Sequence, residues 1–148
     1  MAKWPRISID VGKEYSMCFG CGTENPIGLK LRFQWDGETA LSEFVPGEVY
    51  QGWSGTVHGG IIICLLDEAM SHAALFEGMH CATTKIQVSL KNPASIGETL
   101  IITASITEKS RKLVETQAKV SSKDGITIAE GRATHFIINV RAKETDTK

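Results

Sequence analysis

Two glycines and a carboxylate eight positions apart on one apolar segment are the residues of this chain best placed to do chemistry. Val57-His58-Gly59-Gly60 opens the hydrocarbon run 61–66, and Asp67-Glu68 follow at once. An ionised carboxylate taken out of water costs several kcal/mol unless it is paired, hydrogen-bonded or used. Asp67 therefore needs a reason to be there, and catalysis supplies one. The start of a helix leaves its first N–H groups without partners and carries about half a positive charge, and glycine lets a substrate oxygen come close to those donors. The pattern reads as an oxyanion contact made chiefly by the Gly59 N–H, with Gly60 as its neighbour. One preorganised donor of this kind is worth on the order of 10²–10³ in rate.

The spacing adds a constraint. Along an α-helix Asp67 stands ~12 Å beyond Gly59, whereas catalytic contacts are made at about 3 Å. A second copy of the helix, antiparallel across a two-fold axis, would set its Asp67 beside the first copy's Gly59. A homodimer with two equivalent sites is thus expected. Eight steps of about 100° leave about 80° after whole turns, so Gly59 and Asp67 share a broad face and Glu68 is turned away. Asp67 is the carboxylate chosen. Ser71, one turn on, is placed to hydrogen-bond Asp67 or a water, and Glu68 pairs with His72 on the neighbouring face.

Positioning these groups takes a particular order of elements. Leu29, Leu31 and Phe33 alternate with Lys30, Arg32 and Gln34 as a strand, Asp36-Gly37 supplies a hairpin turn, and 39–45 is the return strand. A loop with Gly52 and Gly55 leads to a helix from Gly59 to about Phe76, closed by Gly78. Residues 61–66 are apolar at every azimuth, which predicts a first half enclosed on all sides. Strands follow at 83–90, 99–108, 112–121 and 126–140, with Asp124-Gly125 as a turn and Gly131 as a bulge. The order implies an α+β fold, long antiparallel strands wrapped round a single buried helix. Residues 1–27 read as an irregular segment, 28–142 as one domain and 143–148 as a frayed tail.

The chain resembles the hotdog-fold acyl-CoA thioesterases, in the branch of the phenylacetate-pathway (PaaI-like) and 4-hydroxybenzoyl-CoA-type enzymes. The resemblance is carried by Gln51-Gly52-x-x-Gly55-x-Val57-His58-Gly59-Gly60 and Leu66-Asp67-Glu68-Ala69, then by Thr83-Thr84 before Asn92-Pro93-Ala94-x-x-Gly97-Glu98 and by Asp124-Gly125. It implies a curved antiparallel sheet round one long central helix, in dimers often paired into tetramers with sites at the dimer interface. It implies hydrolysis of an acyl-CoA to free acid and coenzyme A without metal or organic cofactor. The residue matching Asp67 acts as nucleophile or general base, Gly59 as oxyanion contact, Thr83 helps place the water, and His58 shapes the loop and is a catalytic candidate that contacts the thioester carbonyl. Many members carry Asn or Gln at the position of Gly52; here Gln51, one place earlier, is the carbonyl-polarising candidate.

Composition narrows the partners. Sixteen basic residues against 17 acidic ones, with 42% apolar and 22% charged, is an ordinary globular balance that points to no nucleic-acid partner and no membrane partner. The first six residues lack the apolar core of a targeting segment, so a cytoplasmic location is expected. Arg111 and Lys112 are candidates for a rim that meets coenzyme A phosphates. Cys18-x-x-Cys21 has no second Cys or His pair at zinc spacing, so Cys18, Cys21, Cys64 and Cys81 read as structural thiols; His72, His80 and His135 belong to no motif. Two rival functions stand beside hydrolysis. One is a hotdog hydratase or dehydratase; the other is a non-catalytic acyl-CoA binding protein.

Overall fold

His58 decides where the long helix begins. Its backbone is extended at φ −59° and ψ 133°, and its ring Nδ1 accepts the Gly60 N–H at 2.8 Å, capping α1, Gly59–Phe76. Gly78, at φ +85°, ends it; its N–H and that of Glu77 donate to the Leu75 and Ala74 carbonyls. The computed structural model describes residues 16–140. The expected tail 143–148 and the first 15 residues, including the six read for targeting, lie outside the described residues.

Six strands surround the helix: β1 (Gln34–Trp35), β2 (Thr39–Phe44), β3 (Met79–Leu90), β4 (Leu100–Lys109), β5 (Leu113–Ser122) and β6 (Thr127–Val140). They form one antiparallel sheet in the order β1-β2-β4-β5-β6-β3. Period-two alternation sends Leu100, Ile102 and Ala104 of β4, and Val114, Thr116, Ala118 and Val120 of β5, inward. Against them lie Ile62, Leu65, Leu66, Ala69, Met70 and Ala73 of α1. This is the expected α+β hotdog architecture, and β3 is left at the edge of the sheet with one side unpaired.

Three local expectations are corrected. The strand at 29–33 shrinks to Gln34–Trp35, because Lys30 takes φ +54° and the Leu29 and Leu31 N–H groups donate to Phe19 and Gly20 carbonyls instead of to a sheet. The first half of α1 is not enclosed on all sides: Ile61, Ile63, Cys64 and Asp67 are only partly covered in a single chain. Gly131 pairs in register with Val88 and Ala118 and makes no bulge; it is small because Leu66 Cδ1 would stand 3.3 Å from a Cβ placed there. Helix α1 has the length and mean hydropathy, 18 residues at 1.4, of a membrane span. Its packing against β2 to β6 is that of a core helix.

One buried side chain breaks the hydrocarbon interior. His135 of β6 is fully buried, and its ring lies between Thr116 Oγ1, 2.8 Å from Nε2, and Thr83 Oγ1, 3.2 Å from Nδ1. Burial pushes its pKa below the ordinary 6.5, against the opposing pull of Asp67 and Glu115.

Two outcomes follow for stability. Gly131→Val should cost about 1–3 kcal/mol in denaturant unfolding, since the branched side chain meets Leu66 and Met70. Because folding favours neutral His135, the unfolded chain binds more protons below its unfolded pKa. The contribution of His135 is whole above about pH 6.5 and drains as pH falls below it, no faster than about 1.4 kcal/mol per unit. Thermal melts from pH 7 to 5 should therefore fall less steeply for His135→Asn than for the parent; parallel slopes would exclude this titration as the cause.

Candidate active site

The cap at His58 divides the two glycine donors. Gly60 N–H is spent on the His58 ring, while among the described residues no acceptor meets the Gly59 N–H. Since Nδ1 accepts, neutral His58 carries its proton on Nε2. Gly59 thus offers the open donor at the positive end of α1. A groove of about 210 Å³ lies beside it, lined by Val57, Ile62, Leu90, Asn92 and Ala94 among others. A larger hollow of about 650 Å³ sits away from it, on the outer face of the sheet among Gln87, Ser105, Gln117 and Arg132.

Asp67 is held from the neighbouring strand. Thr83 Oγ1 donates to Asp67 Oδ1 at 2.8 Å. A hydroxyl has one proton, and an ionised carboxylate has none to give, so Thr83 must accept from His135 Nδ1. The Thr83 end places a proton on His135 Nδ1, and burial favours the neutral ring, in which Nε2 takes the Thr116 proton in preference to the Ala133 carbonyl, 3.4 Å from Thr116 Oγ1. Asp67 Oδ2 has no protein donor among the described residues. β3 shifts register between Thr83 and Lys85, at the place where Thr83 turns in to the helix.

Other expected members fall differently. Ser71 makes no hydrogen bond to Asp67; Thr83 takes that role. Glu68 does face His72, at 3.7 Å. The Gln51 side-chain oxygen accepts the Gly55 N–H at 2.8 Å and so closes its own loop, and a Cβ at Gly52 would stand 3.1 Å from His58 Cα. Arg111 and Lys112 are exposed on the β4–β5 hairpin. Val114, just beyond it, clusters with Ala74 and Met79, so that hairpin lies at the C-terminal end of α1, away from the Gly59 of the same chain. Gly59 and Asp67 themselves stay two helical turns apart, ~12 Å at the helical rise.

His135 and Thr116 were missed as participants in the sequence reading. The available signal was the inward register of β6: Ala129, Gly131, Ala133 and His135 are all buried at period two, which makes an imidazole there a core residue needing partners. None of the buried cysteines suits nucleophilic chemistry at neutral pH. Burial, then the nearby Glu68 carboxylate, pushes Cys21 up to about 12, and the same causes take Cys64 to about 12; burial alone takes Cys81 to about 11.

Known proteins resemble this chain in sequence and in fold. Human acyl-coenzyme A thioesterase 13 is 31% identical over 88 residues, which is 57% of this chain and 63% of that protein's length. The fold matches a hypothetical thioesterase of Streptococcus pneumoniae solved with coenzyme A, at TM-score 0.72 and 13% identity over 76% of this chain and 91% of that one. It also matches the Escherichia coli PaaI protein of the phenylacetic acid degradation operon, at TM-score 0.69 and 18% identity over 73% and 83%. The model of the thioesterase superfamily fits residues 54–129, a span that holds the capped helix start, Asp67, Thr83 and Thr116, and the chain belongs to that superfamily.

Proposed function

We propose that this protein hydrolyses acyl-CoA thioesters at sites shared between two copies of the chain. The observation that carries the reading is the division of labour along α1: an open N–H at Gly59, and an anchored carboxylate at Asp67 with one oxygen left for work. Support for the substrate class comes from the coenzyme A named with the S. pneumoniae structure and from the activity named for the human relative.

A thioester carbonyl seated on the Gly59 N–H of one chain receives water whose proton passes to Asp67 Oδ2 of the partner. The hydroxide adds to the carbonyl carbon, and the new oxyanion is stabilised by the Gly59 donor and the helix terminus. Collapse breaks the C–S bond; the leaving sulfur takes the proton back from Asp67 and departs as coenzyme A, and the acid is released. Direct attack by Oδ2 would give an anhydride instead, and single-turnover hydrolysis in ¹⁸O-water separates the two by whether label enters Asp67. Thr83, pinned by His135, keeps the carboxylate in register with its target. Arg111 and Lys112, remote from Gly59 of their own chain, fit this reading as a rim that a partner's coenzyme A would meet.

The dimer has its own support. Two partly covered features, the β3 edge and the Ile63–Asp67 side of α1, are what a second copy would cover. Val49 and Trp53, 85% and 88% exposed, stand on the loop before Gly59 and are available to line the acyl path.

Thiol release from a panel of acyl-CoAs should fall about 10²–10⁴-fold in kcat for Asp67→Asn; turnover equal to the parent's would remove Asp67 from the mechanism. Gly59→Pro deletes the oxyanion donor at a helix position that tolerates proline. Co-expressed with Asp67→Asn, it should restore about one quarter of parental activity through mixed dimers that hold one intact site. No recovery from verified mixed dimers would place both groups in a single-chain site.

A further inference from the structure

On the face of α1 next to Asp67, the fold assembles a second cluster that hydrolysis does not use. Cys18 Sγ, Cys21 Sγ and a Glu68 carboxylate oxygen all lie within 4.8 Å of one another, each partly buried. The two cysteines sit on a turn in which Gly22 N–H donates to the Cys18 carbonyl at 2.9 Å and Cys21 N–H points at Cys18 Sγ at 3.5 Å. That turn is held to the rest of the chain by Leu29 and Leu31, whose N–H groups donate to Phe19 and Gly20, and by Arg32 Nη1 on the Cys21 carbonyl at 3.3 Å.

The turn is pressed onto the carboxylate. A Cβ at Gly20 would overlap the Glu68 side chain, and one at Gly22 would overlap the Ser16 and Cys18 backbone. Cys-Phe-Gly-Cys-Gly is therefore the shape that lets both sulfurs close over Glu68. His72, one turn further along α1, brings Nε2 to 3.7 Å from Glu68 Oε1. Its ring is backed by Phe33 at 4.5 Å. The cationic side chain beside the cluster, Arg32, is directed at a backbone carbonyl and not at the sulfurs.

We propose that Cys18, Cys21 and Glu68 form a zinc site that fastens the N-terminal turn to the core helix, with the fourth position completed by water on the His72 side. Two thiolates and a carboxylate suit Zn²⁺ by ligand type. Zn–S bonds of about 2.3 Å bring two sulfurs to roughly 3.7 Å, so the donors need only draw together slightly. The spacing rule for paired Cys-x-x-Cys motifs could not reveal this site, because its third donor arrives from a helix 47 positions downstream of Cys21.

The test uses the full chain, reduced and stripped of metal, titrated with Co²⁺ and back-titrated with Zn²⁺. One equivalent per chain should produce a sulfur-to-cobalt charge-transfer band in the near ultraviolet with the strong visible bands of tetrahedral cobalt, and zinc should bleach both. Cys18→Ser and Cys21→Ser should abolish the charge-transfer band, Glu68→Gln should weaken binding about 10–100-fold, and Cys81→Ser should change nothing. Absence of the band in the reduced parent overturns the site, as does a Cys18–Cys21 disulfide by mass with no metal uptake after reduction. An unchanged affinity in Glu68→Gln overturns the three-donor assignment. Should the cysteine variants fail to fold, zinc-edge X-ray absorption of the parent decides: two sulfurs with light-atom neighbours support the site, and a sulfur-free shell excludes it.

Discussion

A carboxylate in the wall of a hydrocarbon core must be held by donors, and here the donor is Thr83. Its single proton goes to Asp67 Oδ1 at 2.8 Å, and the demand this creates runs backward through His135 to Thr116. Each group has one arrangement that satisfies its neighbours. That orients the imidazole with a proton on Nδ1, and full burial favours the neutral ring. Helix, β3, β5 and β6 are thereby coupled through one line of hydrogen bonds across an otherwise apolar interior.

The same helix is polar at its start for a different reason. His58 takes one of the two glycine N–H groups and leaves the other, so the cap that starts α1 also decides which of the two donors stays open. On the proposed reading the two halves of the chemistry sit at separate points of one rigid rod, and only a second rod can bring them together. The exposed edge of β3 and the half-covered flank of α1 become, on that reading, parts of one surface.

Much of this was legible beforehand. The helix limits, the Asp36-Gly37 and Asp124-Gly125 turns and the later strands follow from turn chemistry and alternation; the cost of burying charge singles out Asp67, and the unpartnered N–H groups of a helix start single out Gly59, as candidates. What failed to show did so for physical reasons. A left-handed Lys30 keeps residues 29–33 out of the first strand, a choice made by tertiary contacts with the 19–20 backbone. Gly131 owes its size to a helix crossing over it, which no local pattern encodes. Ser71, one turn on, is placed by helix spacing to meet Asp67 or a water; the hydroxyl that does meet Asp67 is that of Thr83, from a strand that sequence distance cannot rank. His135 was passed over although its inward register was available to read.

On the proposed reading both reactive groups stand on one continuous helix, and this has a consequence for how such a chain can change. A single inserted residue between them would lengthen the gap by about 1.5 Å and swing the carboxylate by about 100°, away from Thr83 and into Leu66's or Glu68's territory. The interval acts as a ruler that tolerates substitution but not a change of length. Changes of length are then confined to the surroundings, such as the 51–55 loop and the tips of the strands, where they leave the measure undisturbed.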